Sequence, residues 1–147
     1  MTRWAVAVVA AVLMVALGGC ARTGSQPAVD DAALEQALLQ IEGVEEATIG
    51  VSNTGVPGST ALSVTLGLDE SALAGIGAVL SDAVDAVAAH ASGYTAYRFR
   101  VAALDAAAPG GGRVITLRTY RDDIPIEGEY LGPGLTLTPE QLAASAA

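Results

Sequence analysis

TALSVTLGL, residues Thr60–Leu68, runs straight into DESALAGIGAVLSDAVDAVAAHAS, residues Asp69–Ser92, and the two periods in that stretch decide the architecture. Leu62, Val64, Leu66 and Leu68 alternate with Ser63, Thr65 and Gly67, the two-residue repeat of a strand with one buried face. From Leu73 onward the apolar residues recur at helical spacing: Leu73, Ile76, Leu80, Val84 and Val87. Val79 and Ala83 widen that stripe, while Ser81, Asp82 and Asp85 fall away from it. Asp69, Glu70 and Ser71 load the first turn with capping side chains and negative charge, and Gly93 is placed to stop the helix. Gly75 and Gly77 each cost about 1 kcal/mol against alanine inside a helix; close packing against a sheet accounts for tolerating them.

Upstream, EEATIGVS (45–52) alternates again, with Ala47, Ile49 and Val51 on one face and Glu46 and Thr48 on the other. The turn-rich NTGVPGS (53–59) separates it from Thr60, so the two strands are expected to pair as an antiparallel hairpin. Further upstream, VDDAALEQALLQIEG (29–43) reads as a helix capped by Asp30. Its apolar face is Leu34, Ala37, Leu38 and Ile41, Val29 and Leu34 are set for a staple across the cap, and Gly43 stands at its end.

Downstream, YTAYRFRVAAL (94–104) is a strand in which Tyr97, Phe99 and Val101 face the core and Arg98 and Arg100 face water. DAAAPGGG (105–112) is a loop, and RVITLRTY (113–120) reads as a further strand. Residues 122–131 read as an edge segment, because Pro125 between Ile124 and Ile126 belongs at a sheet edge. Residues 132–147 read as a loose C-terminal tail with a helical turn from Thr138.

The order helix, strand, strand, helix, strand, strand predicts an α+β domain over residues 29–131. Its expected form is two helices packed on one face of an antiparallel sheet of about four strands, with the other face wet. This arrangement is similar to small ferredoxin-like sandwich modules such as the C-terminal domain of cation diffusion facilitators, and Ile41-Glu42-Gly43-Val44 before a strand echoes them. Heavy-metal-associated domains of similar outline carry a CxxC. This chain has none in its folded part, so that activity is not carried over, and fold alone does not settle function.

MTRWAVAVVAAVLMVALGGC (1–20) has the layout of a secretory leader: Arg3 at the start, an apolar middle and small residues at the cut. The uninterrupted apolar part, Ala5–Leu17, would reach about 20 Å as a helix, short of a bilayer core of about 30 Å. Leu17-Gly18-Gly19-Cys20 resembles the lipobox of bacterial lipoproteins. The resemblance implies that the Cys20 sulfur is alkylated with diacylglycerol and that a dedicated signal peptidase removes residues 1–19. A mature protein would then start at an acylated, palmitate-type anchor on the extracytoplasmic face of the cell membrane. Glycines leave the backbone open to a peptidase, and a thiolate is the nucleophile that forms a thioether. Two acyl chains anchor stably where one does not. Cys20 is the single cysteine of the chain; an exported protein with one unpaired thiol is unusual, and acylation accounts for it. Residues 20–28, rich in Gly, Ser and Pro, read as a flexible tether.

Composition narrows the remaining classes. The formal charge is −9 over 147 residues, with no lysine, and without Arg3 it becomes −10. Nucleic-acid binding, which draws affinity from basic patches, is therefore disfavoured, and so is charge-driven attachment to an anionic membrane. Aromatic residues make up 4%, which weakens the case for a stacking surface for sugars or bases. No Ser–His–Asp set can be argued from one histidine, His90 at a helix end, and unremarkable serines, and no G-x-S-x-G motif occurs. With a single His and no cysteine in the folded part, zinc is improbable. The acidic pairs Asp30-Asp31, Glu45-Glu46, Asp69-Glu70 and Asp122-Asp123 lack EF-hand spacing. Gly110-Gly111-Gly112-Arg113 opens a strand rather than the helix a P-loop requires.

One cluster remains. Arg98, Arg100, Arg113, Arg118 and Arg121 fall within residues 98–121. Arg98 and Arg100 share a strand face, and if the strand at 113–120 pairs with theirs, Arg118 joins them. Their expected partner is an envelope protein or an anionic envelope polymer; the competing reading is a solvated sheet face balanced by Glu127 and Glu129. The expectation is thus a non-enzymatic, membrane-anchored extracytoplasmic lipoprotein that serves binding or envelope assembly, without cofactor. The alternatives are a lipid-anchored hydrolase with an unrecognised site and a solute-binding lipoprotein, the latter disfavoured because it needs two lobes.

Overall fold

The computed structural model describes residues 26–108 and 110–146. The leader (1–19), Cys20 and most of the expected tether lie outside the described residues. The chain enters through a two-residue strand, β1 (Ala28–Val29), and then helix α1 (Asp31–Leu39). Asp30 caps α1, its carboxylate accepting from the Ala33 N–H at 3.1 Å, and Leu34 and Leu38 are fully buried beneath it. Strands β2 (Val44–Asn53) and β3 (Thr60–Leu68) form the expected antiparallel hairpin, with Val51 opposite Leu62 and Ile49 opposite Val64. A bulge at Glu45 separates the Val44–Leu68 pair from the Glu46–Gly67 pair.

The long helical stretch is present in two parts. Glu70–Gly75 is a 3-10 turn capped by Asp69, and helix α2 runs over Ile76–His90. Gly75 sits at the junction, where a Cβ would meet nothing, whereas a Cβ on Gly77 would run into the Asp123 carbonyl oxygen. The close approach that excludes a side chain is therefore to the Asp123 carbonyl and the Pro125 ring, not to the sheet. α2 ends at His90, two residues before the expected end, because Ala91–Ser92 (β4) turns extended and pairs with β1. Glu70–His90 is long and apolar enough to cross a membrane, but Leu73, Ile76, Leu80, Val84 and Val87 are buried in the core, which identifies it as the central helix of the domain.

Strand β5 (Ala96–Leu104) follows and lies parallel to β3 along its length, from Ala61 beside Ala96 to Leu68 beside Ala103. This corrects the expected all-antiparallel sheet. The crossover β3–α2–β5 joins immediate neighbours, an unsplit βαβ unit, whereas a ferredoxin-like sandwich splits that unit with a strand in between. Alternation of apolar residues states which face a strand buries and carries no information about strand direction.

The far edge of β5 is shared. β6 (Gly112–Ile115) pairs with Val101–Leu104, and β8 (Gly134–Leu137) pairs with Tyr97–Phe99. Because β8 occupies the rest of that edge, the chain leaves the sheet at Thr116 and winds a 3-10 segment over Leu117–Asp123, in place of the strand expected over 113–120. β7 (Glu129–Leu131) pairs with β8 and is the edge strand at that end of the sheet, β2 being the other. The six-stranded sheet is mixed, ordered β2-β3-β5-β8-β7 with β6 on β5.

Residues 132–147 were expected to be loose. Instead Leu135 and Leu137 are fully buried, and α3 (Pro139–Ser145) starts with a capping box between Thr138 and Gln141. Leu142 closes the core beside them. The protein is thus α+β, with the helices and one sheet face sharing a single core; Thr48, Ser63, Thr65, Arg98, Arg100 and Thr136 stand on the opposite face.

Candidate functional site

Strand β5 places its side chains by strict alternation. Tyr97, Phe99, Val101 and Ala103 are buried, Arg98 is half-buried and Arg100 is exposed. The register then fixes what stands beside each arginine on the outer face. Ser63 of β3 and Thr136 of β8 flank Arg98, and Thr65 of β3 flanks Arg100. One strand further out, Thr48 pairs with Thr65, Gly50 with Ser63 and Glu129 with Thr136. Residues two apart on a strand are about 6.6 Å apart, so the two guanidinium stems rise side by side from a floor of small hydroxyl-bearing and glycine residues. Gly134 keeps that floor low: a Cβ there would lie 2.8 Å from the Phe99 carbonyl oxygen and 3.3 Å from Cγ of Arg100.

Arg118 does not join this pair on a strand. It lies in the 3-10 segment, and its Nη2 donates to the Tyr130 carbonyl oxygen of β7 at 2.7 Å. The Leu117 N–H donates to Pro133 O nearby. These two bonds fasten the segment to the β7–β8 hairpin, and Arg118 satisfies a carbonyl on the edge strand that has no further strand to pair with. Of the other arginines, Arg113 meets Glu70 at 3.6 Å between two largely exposed side chains, a contact of little energetic weight. It is the one ion pair among the described residues; Glu127 and Glu129 do not come within that distance of Arg98 or Arg100.

A concavity of about 880 Å³ opens where β3 and β5 end. It brings together Glu45, Glu46, Asp69, Glu70 and Asp105, with Arg113 and the glycines of 110–112. Distance along the chain hid this convergence, although the acidic pairs 45–46 and 69–70 were its signal. Two of its carboxylates have local duties: Asp69 accepts from the Ser71 N–H at 2.7 Å and Asp105 from the Ala107 N–H at 2.8 Å. The Asp69 carboxyl is held below its usual range by that bond, with help from the Ser71 hydroxyl. Among the described residues no three His, Cys, Asp or Glu side chains are close enough to hold a metal ion. Gly110–Gly112 form the turn into β6 rather than a phosphate cradle, with Gly111 N donating to Ala108 O at 2.8 Å. His90 ends α2, where its carbonyl accepts from the Asp30 N–H at 3.2 Å.

A smaller hollow lies between the 3-10 segment, β7 and α3. The Tyr130 hydroxyl beside it is buried without a hydrogen-bond partner among the described residues, and burial pushes that phenol up, Arg121 opposing and Asp122 reinforcing the shift. Comparison with protein-family models, with curated proteins and with solved structures gives no match.

Proposed function

We propose that this protein is a non-enzymatic envelope lipoprotein, held at the extracytoplasmic face of the membrane by an acylated Cys20, whose open sheet face binds an anionic envelope polymer through Arg98 and Arg100. The leader, lipobox and lone cysteine support the anchor; among the described residues the observation that carries the binding reading is the pair of arginines. In an acidic chain they stand side by side without an ion-pair partner among the described residues, on a sheet face floored by Ser63, Thr65 and Thr136. Guanidinium groups present forked donors that match carboxylate and phosphate oxygens, and the neighbouring hydroxyls add donors to the same anion. A flat face with donors repeating at about 6.6 Å suits an extended polymer better than a small molecule, which prefers a concave site.

The test is co-purification from detergent-solubilised envelopes, comparing the wild type with the Arg98→Gln/Arg100→Gln variant. Captured material is assayed for phosphate and uronate. The reading expects anionic polymer with the wild type and its loss with the variant, at unchanged thermal stability. Equal capture by both proteins refutes the arginine pair as the contact.

A further inference from the structure

The tether joins the domain at one pole of the sheet, and the carboxylate-lined groove lies at the other. β1, the first strand after the tether, pairs with β4 beside the start of β5, and Gly93 packs directly on the backbone of Gln26 and Pro27. The same pole holds the β2–β3 turn: Thr95 N donates to Thr60 O at 2.9 Å, and Ser59 Oγ and Thr95 Oγ1 are 2.7 Å apart. That turn, Thr54–Ser59, has no ionisable side chain, and Val56 at its tip is 64% exposed. Glu45, Glu46, Asp69, Glu70 and Asp105 gather at the far pole, about 26 Å away along β3. Carboxylates also stand on the tether side: Asp30, Asp31 and Glu140 at helix starts, within the helix layer, and Glu127 and Glu129 at the start of the edge strand β7, at the opposite sheet edge from the β2–β3 turn.

We infer that the Thr54–Ser59 turn rests on the bilayer that the acyl chains enter, with the acidic groove pointing away from it; this rests on the proposed anchoring at Cys20. Six residue steps from Cys20 to Gln26, where the chain docks on Gly93, reach at most about 21 Å and average about 13 Å for a flexible chain, so the tether pole stays at the membrane surface. In this orientation five carboxylates stand some three Debye lengths, each about 8 Å at physiological salt, from anionic headgroups. The opposite orientation would press them into that surface. The uncharged turn is the part of the sheet that meets headgroups without electrostatic cost, and Val56 offers them an apolar tip.

The leader holds the chain's single tryptophan, Trp4, so a tryptophan placed in the mature protein reports alone. Membrane-purified Val56→Trp and Glu46→Trp proteins are reconstituted into phosphatidylethanolamine/phosphatidylglycerol vesicles with and without brominated acyl chains. The inference expects blue-shifted emission and quenching by brominated lipid at position 56, and neither at position 46. Intact mass of the same samples reports acylation. An acylated protein with no quenching at 56, or with equal quenching at both positions, overturns this inference alone; an unacylated Cys20 overturns the anchoring and the inference together.

Discussion

Leu135→Ala tests whether the C-terminal segment belongs to the core. Leu135 is fully buried, opposite Phe99 on one side and Tyr130 on the other. Removing its isobutyl carbons forfeits about 0.8 kcal/mol per methylene equivalent, and the enclosing strands collapse only partly, so the total is about 3–4 kcal/mol. An unfolding entropy of about 2.1 cal/mol/K per residue over roughly 120 ordered residues gives about 0.25 kcal/mol/K, hence a fall in Tm of about 14 °C. The paired control is Leu131→Ala in the same hairpin, where the side chain is 51% exposed and the expected change is within about 0.5 kcal/mol. The assay is thermal and urea unfolding followed by circular dichroism. A loss below about 1 kcal/mol for Leu135→Ala, or equal losses for the two variants, would refute β8 as an interior strand.

Gly77→Ala is expected to destabilise the protein by about 1–3 kcal/mol, against the helix-propensity gain of about 1 kcal/mol, because the new methyl meets the Asp123 carbonyl; Gly50→Ala, with open space around it, should be neutral or mildly stabilising in the same urea titration. Asp69 sets a pH dependence. Its folded pKa lies below the ordinary 3.8, so its stabilising bond is fully present above the unfolded value and drains away as pH falls through the folded one. Asp69→Asn keeps an acceptor that does not titrate. Its stability should fall less steeply than the wild type's on acidification below about pH 4, and parallel slopes would contradict that assignment.

What the sequence disclosed was local. The Leu62–Leu68 alternation, the Asp30 cap, the Leu73–Val87 stripe and the turn at 53–59 are each written in adjacent residues, and each stands where its pattern placed it. Pairing partners and strand direction are not local. Nothing in AYRFRVAAL distinguishes a parallel neighbour from an antiparallel one, and nothing in RVITLRTY reveals that GLTL, some twenty residues later, competes for the same edge of β5. That competition shortens β6 and turns Leu117–Asp123 into a 3-10 segment. GLTL was hidden by its brevity and by the flanking Pro133 and Pro139, which read as loop. For the candidate site, Arg98 and Arg100 were legible because alternation fixes a face. The place of Arg118 depends on a strand that ends at Ile115, and the acidic groove was hidden because its carboxylates come from three separate segments.

The anchor decides whether the rest of the account applies, and intact-mass analysis of the protein purified from membranes tests it most directly. The account predicts a chain beginning at Cys20 with diacylglycerol on the sulfur. A free thiol at that position, or a chain still carrying residues 1–19, would contradict it.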